Sequence, residues 1–538
     1  MDTEKELFQQ IKLFTDLQTK VGCEAWFIAF KNLPYNGGFY SVLIKNSNIE
    51  KSMEDPSWDL SLGQGLPSCT QYGSDLDGLI EYNRYGTKGI QPLVYWRNFY
   101  GVKPPYIEIS EEFRHYHNLY HDVASNKYIK IDDNGDEEDI IIIEDDNTVK
   151  IKLKAIKQFL AIKEMSLLFL FNSFYYSEKS LEELNIKQMY AKPIKVDGLT
   201  YSISFGEVDW GFNNYKSLSR LNGKKLIIGF SKEYCGIWPY NGNIVEEFDD
   251  FVIGVDDNGC DITYTSNPDK LGDYFGSNPE APHYLTPVYF KKEVLNKYYN
   301  APDKYTVNDG YISCAGLWGI KVDNDKKDYV VVFLGDLGRD LSHKERLYWK
   351  SFNVPPDNSG ISKTCWKRSF EAEFWNPESA DLKFKHEFLA FNEAWRSKYD
   401  WDLFIPLTKD DFYHYKTLRI PLNNQNNFEE QVRGLVKIII DSINVKKIDT
   451  IIAANPDGSI NKLEQFFKER GLKDYDKHIS FLRDLQNLRS AAVAHRKGDN
   501  YVKSSKKFAI GNKPYDEIFE SILDSINLLL EFLRNNFL

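Results

Sequence analysis

The segment "YDEIFESILDSINLLLEFLRNNF" (Tyr515–Phe537) places the tightest limit on what this chain can fold into. Ile518, Ile522, Ile526, Leu529, Leu530 and Leu533 recur at spacings of three and four, so a helix here carries one broad apolar stripe. Pro514 stands just before its start, where a missing N–H is harmless. Such a stripe must be buried, and three further helical segments with short polar breaks precede it to do so. They are "FEEQVRGLVKIIIDSIN", "SINKLEQFFKERG" and "KHISFLRDLQNLRSAAVAH", the last with Ile479, Leu482, Leu485, Leu488 and Ala492 on one side. The pattern predicts an all-α four-helix bundle over 427–538.

Upstream the period changes. From Ala25 to about Ile107, runs such as "AWFIAF", "FYSVLI", "PLVYWRNFY" and "YIEI" alternate with Gly, Pro, Asn and Asp, which reads as strands and turns. "ISEEFRHYHNLYHDV" predicts one helix that begins at Ser110, with Glu111 and Glu112 in its first turn. "IKIDDNGDEEDIIIIEDDNTVKIKL" predicts a two-stranded hairpin turning at Asn134–Gly135, its acidic edges discouraging sheet-to-sheet pairing. "KLKAIKQFLAIKEMSLLFLFNSF" predicts a helix running into a buried strand. Strand-like runs return in "TYSISFGEV", "KLIIGF" and "DYVVVFLGDL", and the 35 Phe, 34 Tyr and 11 Trp can fill the cores of such sheets.

At 538 residues the chain exceeds one core, and "LRIPLNNQNNFEEQ" is its clearest linker. The expectation is an α+β multidomain protein: a mixed sheet/helix domain over 1–195, a second sheet-rich domain over 196–420, and the helical bundle. A net charge of -12 argues against general nucleic-acid coating, so any such site must be local. Six scattered cysteines without a CxxC need no disulfide framework and are expected to be reduced and mostly buried. The acidic, amphipathic start lacks signal-peptide character and the longest apolar run is too short to span a bilayer, so a cytoplasmic location without membrane contact is expected.

One local exception to the acidic balance is "NLRSAAVAHRKGDN" and the stretch after it. From Arg489 to Lys513 stand seven cations (Arg489, Arg496, Lys497, Lys503, Lys506, Lys507, Lys513) against one acid, Asp499. Arg489 and His495 lie six residues apart late in the third bundle helix. On spacing alone, His495 and Arg496 read as cations at a helix C-terminus, with Gly498 as its cap. The basic island and the small residues Ala491 to Ala494 favour a ligand-facing end instead.

A helical bundle with R-x(4-6)-H late in its third helix, followed by a basic loop and one last long helix, resembles the HEPN superfamily. Arg489 and His495 are the matching residues, over the last fifth of the chain; Ser490 stands where members often carry Asn, Asp or His. The resemblance implies a metal-independent endoribonuclease of bacterial toxin, abortive-infection or antiphage defence, needing no cofactor. RNA supplies its own 2'-OH as nucleophile; an imidazole can shuttle the proton and a guanidinium can hold the developing phosphorane charge. His495 and Arg489 take these roles, with Arg496, Lys497, Lys503, Lys506 and Lys507 as RNA-binding cations. One Arg and one His are few for both acid and base work, so a homodimer through the bundle is implied. The upstream domains, which resemble bacterial proteins without an assigned activity, would sense a trigger ligand or protein. The alternative is a non-catalytic HEPN module for dimerisation or docking.

Other motifs are weaker. His117 and His121 in "HYHNLYHD" stand i, i+4 on the predicted helix as zinc ligands often do, but no Glu completes HExxH, and packing is the stronger reading; no metal is expected. "GSDLDG" (Gly73–Gly78) reads as a turn, and "GQGLPSC" and "GDLGRD" lack a phosphate-loop lysine. "EAPHYLTPVYF" has the composition of a pocket lining.

Overall fold

The computed structural model describes residues 3–33, 36–54, 67–73, 78–84, 90–208, 214–240, 246–357, 360–421, 424–454, 456–493 and 505–538. The protein is mixed α/β, with a sheet-rich N-terminal region and a helical C-terminal region. It divides into two compact units: Met1–Asp132 with Asp136–Val245, and Asp133–Gly135 with Glu246–Leu538.

The first unit is built on one antiparallel sheet centred on Met165–Ser177, a strand of 13 residues. Gly37–Lys45 pairs along one edge of it and Ser217–Ile227 along the other. Leu167, Phe169 and Phe171 face one core, while Leu168 and Leu170 face a second. Burial on both faces explains the unbroken apolar run, since alternation marks a strand with only one dry face. The expected helix-into-strand junction is present: helix Leu153–Lys163 ends at Glu164, whose left-handed φ of 53° turns the chain into the strand.

Three expectations change here. The acidic stretch forms three strands, Lys127–Ile131, Glu137–Glu144 and Thr148–Lys152, because Asp145 and Asp146 take φ of 49° and 53° and make a second tight turn. The boundary at 195/196 falls inside the sheet, since Ile194–Val196 pairs with Leu199–Glu207, which pairs with Ser217–Ile227. The helix after Ser110 spans only Glu111–Tyr116, ending before Asn118 at φ 49°.

In the second unit, small antiparallel sheets come first: Pro287–Lys291 between Tyr329–Phe333 and Asn353–Val354, and the meander Tyr305–Asn308, Tyr311–Cys314, Trp318–Lys321. Their core holds Phe290, Tyr298 and Trp349, the indole N–H of Trp349 donating to the Tyr298 hydroxyl at 2.6 Å. The expected helices follow as Gln425–Val436, Ser459–Glu469, Asp476–Val493 and Tyr515–Phe537. The helical body begins earlier than 427, however. Phe384, Phe388, Phe391 and Trp395 of helix Ala380–Tyr399 share one core with Leu435, Leu482, Leu485, Leu523 and Ile526. The supposed linker is a packed connection: Leu418 is buried, the Arg419 N–H donates to Gln431 Oε1, and Asn424 caps the next helix. Among the described residues no helix is long and apolar enough to cross a membrane.

Candidate functional site

Arg489 lies near the end of helix Asp476–Val493, which turns Ile479, Leu482, Leu485 and Leu488 into the helical core. Its side chain is 29% exposed, and Nη1 meets Asp441 Oδ2 at 2.5 Å. Asp441 closes the π-helical turn Lys437–Asp441, which continues helix Gln425–Val436. The wider turn is a local departure from the i to i+4 ladder of a kind frequent at functional sites. Lys506 is exposed, and Lys507 Nζ is 2.7 Å from Asp484, so one of the expected RNA-binding cations is already paired. His495, Arg496, Lys497 and Lys503 lie outside the described residues.

Of the three histidines of "HYHNLYHD", the i, i+4 pair His117 and His121 does not meet as ligands. His117 is buried against Phe113 and Tyr116, and its Nε2 lies 3.0 Å from the Ala155 carbonyl, which can only accept; Nε2 therefore carries the proton. Burial pushes its pKa down to about 4, so the ring is neutral at physiological pH. His121 is on the strand Tyr120–Asp122 and stacks on Tyr128 with ring centroids 4.2 Å apart. Among the described residues no three His, Cys, Asp or Glu side chains group to hold a metal ion. Among the described cysteines Cys235 and Cys314 are buried, whereas Cys23 and Cys260 are exposed free thiols and Cys365 is intermediate, so the expectation of mostly buried cysteines does not hold.

The second unit holds a cavity of about 580 Å³. Strand Tyr329–Phe333 runs along it, helix Leu334–Asp340 supplies Asp336 and Arg339, and helix Lys363–Phe370 supplies Thr364, Cys365, Arg368 and Ser369 from one face. Tyr284 enters from the loop before Pro287, and Asp309, Lys321 and Asp323 come from the meander and its exit. Thus "GDLGRD" and "EAPHYLTPVYF", apart in sequence, meet at one wall. Close packing accounts for both glycines of "GDLGRD". A Cβ on Gly335 would stand 2.2 Å from the Tyr284 ring, and one on Gly338 would stand 1.9 Å from the Ser266 carbonyl oxygen.

The cavity is acidic in its depth and cationic at its rim. Asp323 and Asp336 are each 4% exposed, whereas the Arg339 side chain is 54% exposed and Lys321 is an exposed residue. Burial raises the Asp336 carboxyl above its usual range, opposed by the Tyr284 hydroxyl that donates to Oδ1 at 2.9 Å and by Arg339 at 2.8 Å. Burial likewise raises Asp323, opposed by the Ser362 N–H that donates to its carboxylate at 2.6 Å. Cys365 is pushed up to about 11 by burial and by the charge of Asp323, so it is a thiol rather than a nucleophilic thiolate near neutrality. No single motif reveals this cavity, because its parts come from five separated stretches; only the pocket-like composition around Tyr284 hinted at it.

The chain matches no protein-family model, no curated protein and no solved structure.

Proposed function

We propose that the C-terminal helices form a HEPN-type endoribonuclease, regulated by the sheet-rich regions upstream and acting in a toxin or antiphage setting. Arg489 would hold the scissile phosphate, His495 would transfer the proton, and two copies of the motif would meet in a homodimer. One observation carries the reading: Arg489 stands outside the helical core, part exposed and oriented by a single carboxylate beside a π-helical turn. A guanidinium held through Nη1 alone can still offer its other N–H donors to a phosphate.

The same ion pair also favours a second reading, in which Arg489 only fastens two helices and the domain serves dimerisation or docking. RNA cleavage in excess EDTA separates the two. The nuclease reading expects Arg489→Ala and His495→Ala each to lower the rate by about 100-fold or more. Wild-type cleavage by both variants, with dimerisation intact in sedimentation, would leave the docking module.

A further inference from the structure

We infer that the cavity bounded by Tyr284, Asp336, Lys321 and Arg368 is a binding site for a purine nucleotide, with the base inward and the phosphate at the rim. Its volume, about 580 Å³, lies within the range of small-molecule sites. The choice of ligand follows from which polar groups are already satisfied and which are not.

Three of the four lining carboxylates are held by neighbours other than the Tyr284 and Arg339 pair, and Asp323 accepts the Ser362 N–H on Oδ2 at 2.6 Å. Asp309 binds Arg368 at 2.6 Å, and Asp325 accepts from the backbone N–H groups of Glu378 and Ser379 at 2.7 to 3.0 Å. Asp336 differs. Its bonds to Tyr284 and Arg339 both fall on Oδ1, and among the described residues no hydrogen bond or ion pair falls on Oδ2. A carboxylate 4% exposed with an unengaged oxygen is short of donors, as its raised pKa also indicates. An inward ligand group must therefore donate, as the N–H edge of a purine does.

The rim asks for the opposite charge. Lys321 is an exposed residue of the lining whose charge acts on Asp336 without a hydrogen bond to it. Arg339 uses Nε and Nη2 on Asp340 and Asp336, and Arg368 uses Nε and Nη2 on the Trp375 carbonyl and Asp309. Each guanidinium keeps Nη1 for a further acceptor, and phosphate oxygens fit this fork. Tyr284, Tyr311 and Phe333 in the lining supply aromatic surface for a base between the two polar ends. A free amine would satisfy Asp336 and leave the rim bare; inorganic phosphate would do the reverse.

The test is calorimetric titration of the full chain with AMP, GMP, their nucleosides and inorganic phosphate, alongside thermal melting. Nucleotide should bind and raise the melting temperature; nucleoside should bind more weakly and inorganic phosphate weakest. Lys321→Ala should weaken nucleotide by about tenfold while leaving nucleoside unchanged. Asp336→Asn should weaken both. Lys321 is exposed, so its variant folds even if that of Asp336 does not. Failure of AMP and GMP to bind at millimolar concentration, or unchanged nucleotide affinity in Lys321→Ala, would overturn the assignment. Arg489→Ala should bind nucleotide as wild type does, so this site and the nuclease reading stand or fall separately.

Discussion

Arg489 and Asp441 join the end of helix Asp476–Val493 to the π-helical turn Lys437–Asp441 through an ion pair of 2.5 Å. The side chains are 29% and 44% exposed, so solvent screens the pair and its contribution to stability is small, about 1 kcal/mol or less. Orientation matters more here than energy. Without Asp441, the flexible guanidinium samples many positions; with it, one nitrogen is fixed.

Arg489→Ala and Asp441→Asn should therefore unfold within about 1 kcal/mol of wild type in urea. Under the nuclease reading Arg489→Ala lowers cleavage by about 100-fold or more, whereas Asp441→Asn lowers it less because the cation remains. Equal loss in both variants would mean that Asp441 does more than orient its partner.

The two glycines of "GDLGRD" predict a graded response. A methyl at Gly338 would meet backbone, the Ser266 carbonyl, which has no rotamer by which to retreat. Gly338→Ala should cost about 2 kcal/mol or more despite the better helix propensity of alanine. A methyl at Gly335 would meet the Tyr284 ring, a side chain that can turn away only by giving up its bond to Asp336. Gly335→Ala should accordingly cost less in urea unfolding but perturb the cavity more, which the fluorescence or chemical shifts of groups around Tyr284 can report.

Periodicity made part of this fold legible. The stripe on Tyr515–Phe537 and the run in "MSLLFLF" specify helix and doubly buried strand, because hydrophobic spacing and local geometry agree there. The three-stranded acidic meander was hidden because Asp145 and Asp146 adopt left-handed φ without the glycine that usually announces it. Helix Ala380–Tyr399 lies in a stretch, 375–415, that the sequence reads as helical or mixed, but that its aromatics share a core with the later helices shows only once their partners are known. At the candidate site, spacing places Arg489 late in the third bundle helix, but not its pairing with Asp441, since the partner lies 48 residues away. The cavity is the extreme case, with its walls assembled by tertiary packing of loops and short elements.

His117 predicts an acid-sensitive first unit. Its folded pKa of about 4 lies below the ordinary value of 6.5, so between these the unfolded chain binds more protons than the folded one. Stability therefore falls as pH drops through 6.5 and levels off below 4, by at most about 3 kcal/mol. His117→Gln can still donate to the Ala155 carbonyl but cannot titrate. Urea midpoints measured from pH 7 to pH 4 should fall more steeply for wild type than for the variant; parallel curves would show that His117 is not the group responsible.

Arg346 is fully buried, and its loss should be the most costly of these changes. Nη1 donates to the carbonyls of Gly338 at 3.0 Å and Leu341, Nη2 donates to that of Glu247, and the guanidinium lies 4.9 Å from the centroid of the Phe248 ring. Asp249 Oδ2 lies 3.6 Å from Nε, which balances the buried charge. Arg346→Met would leave three carbonyls without this donor and Asp249 with His343 alone beside it, so a loss of about 3 to 5 kcal/mol is expected. Arg346→Lys retains the charge, but one ammonium cannot reproduce the planar fork that reaches all three carbonyls, so it should rescue only part of the loss. Because two of those carbonyls belong to the helix that presents Asp336 and its exit, Arg346→Lys should also loosen nucleotide binding at the adjoining cavity. Equilibrium unfolding and calorimetric titration of the same protein preparation measure both effects, and full stability in Arg346→Met would contradict the account.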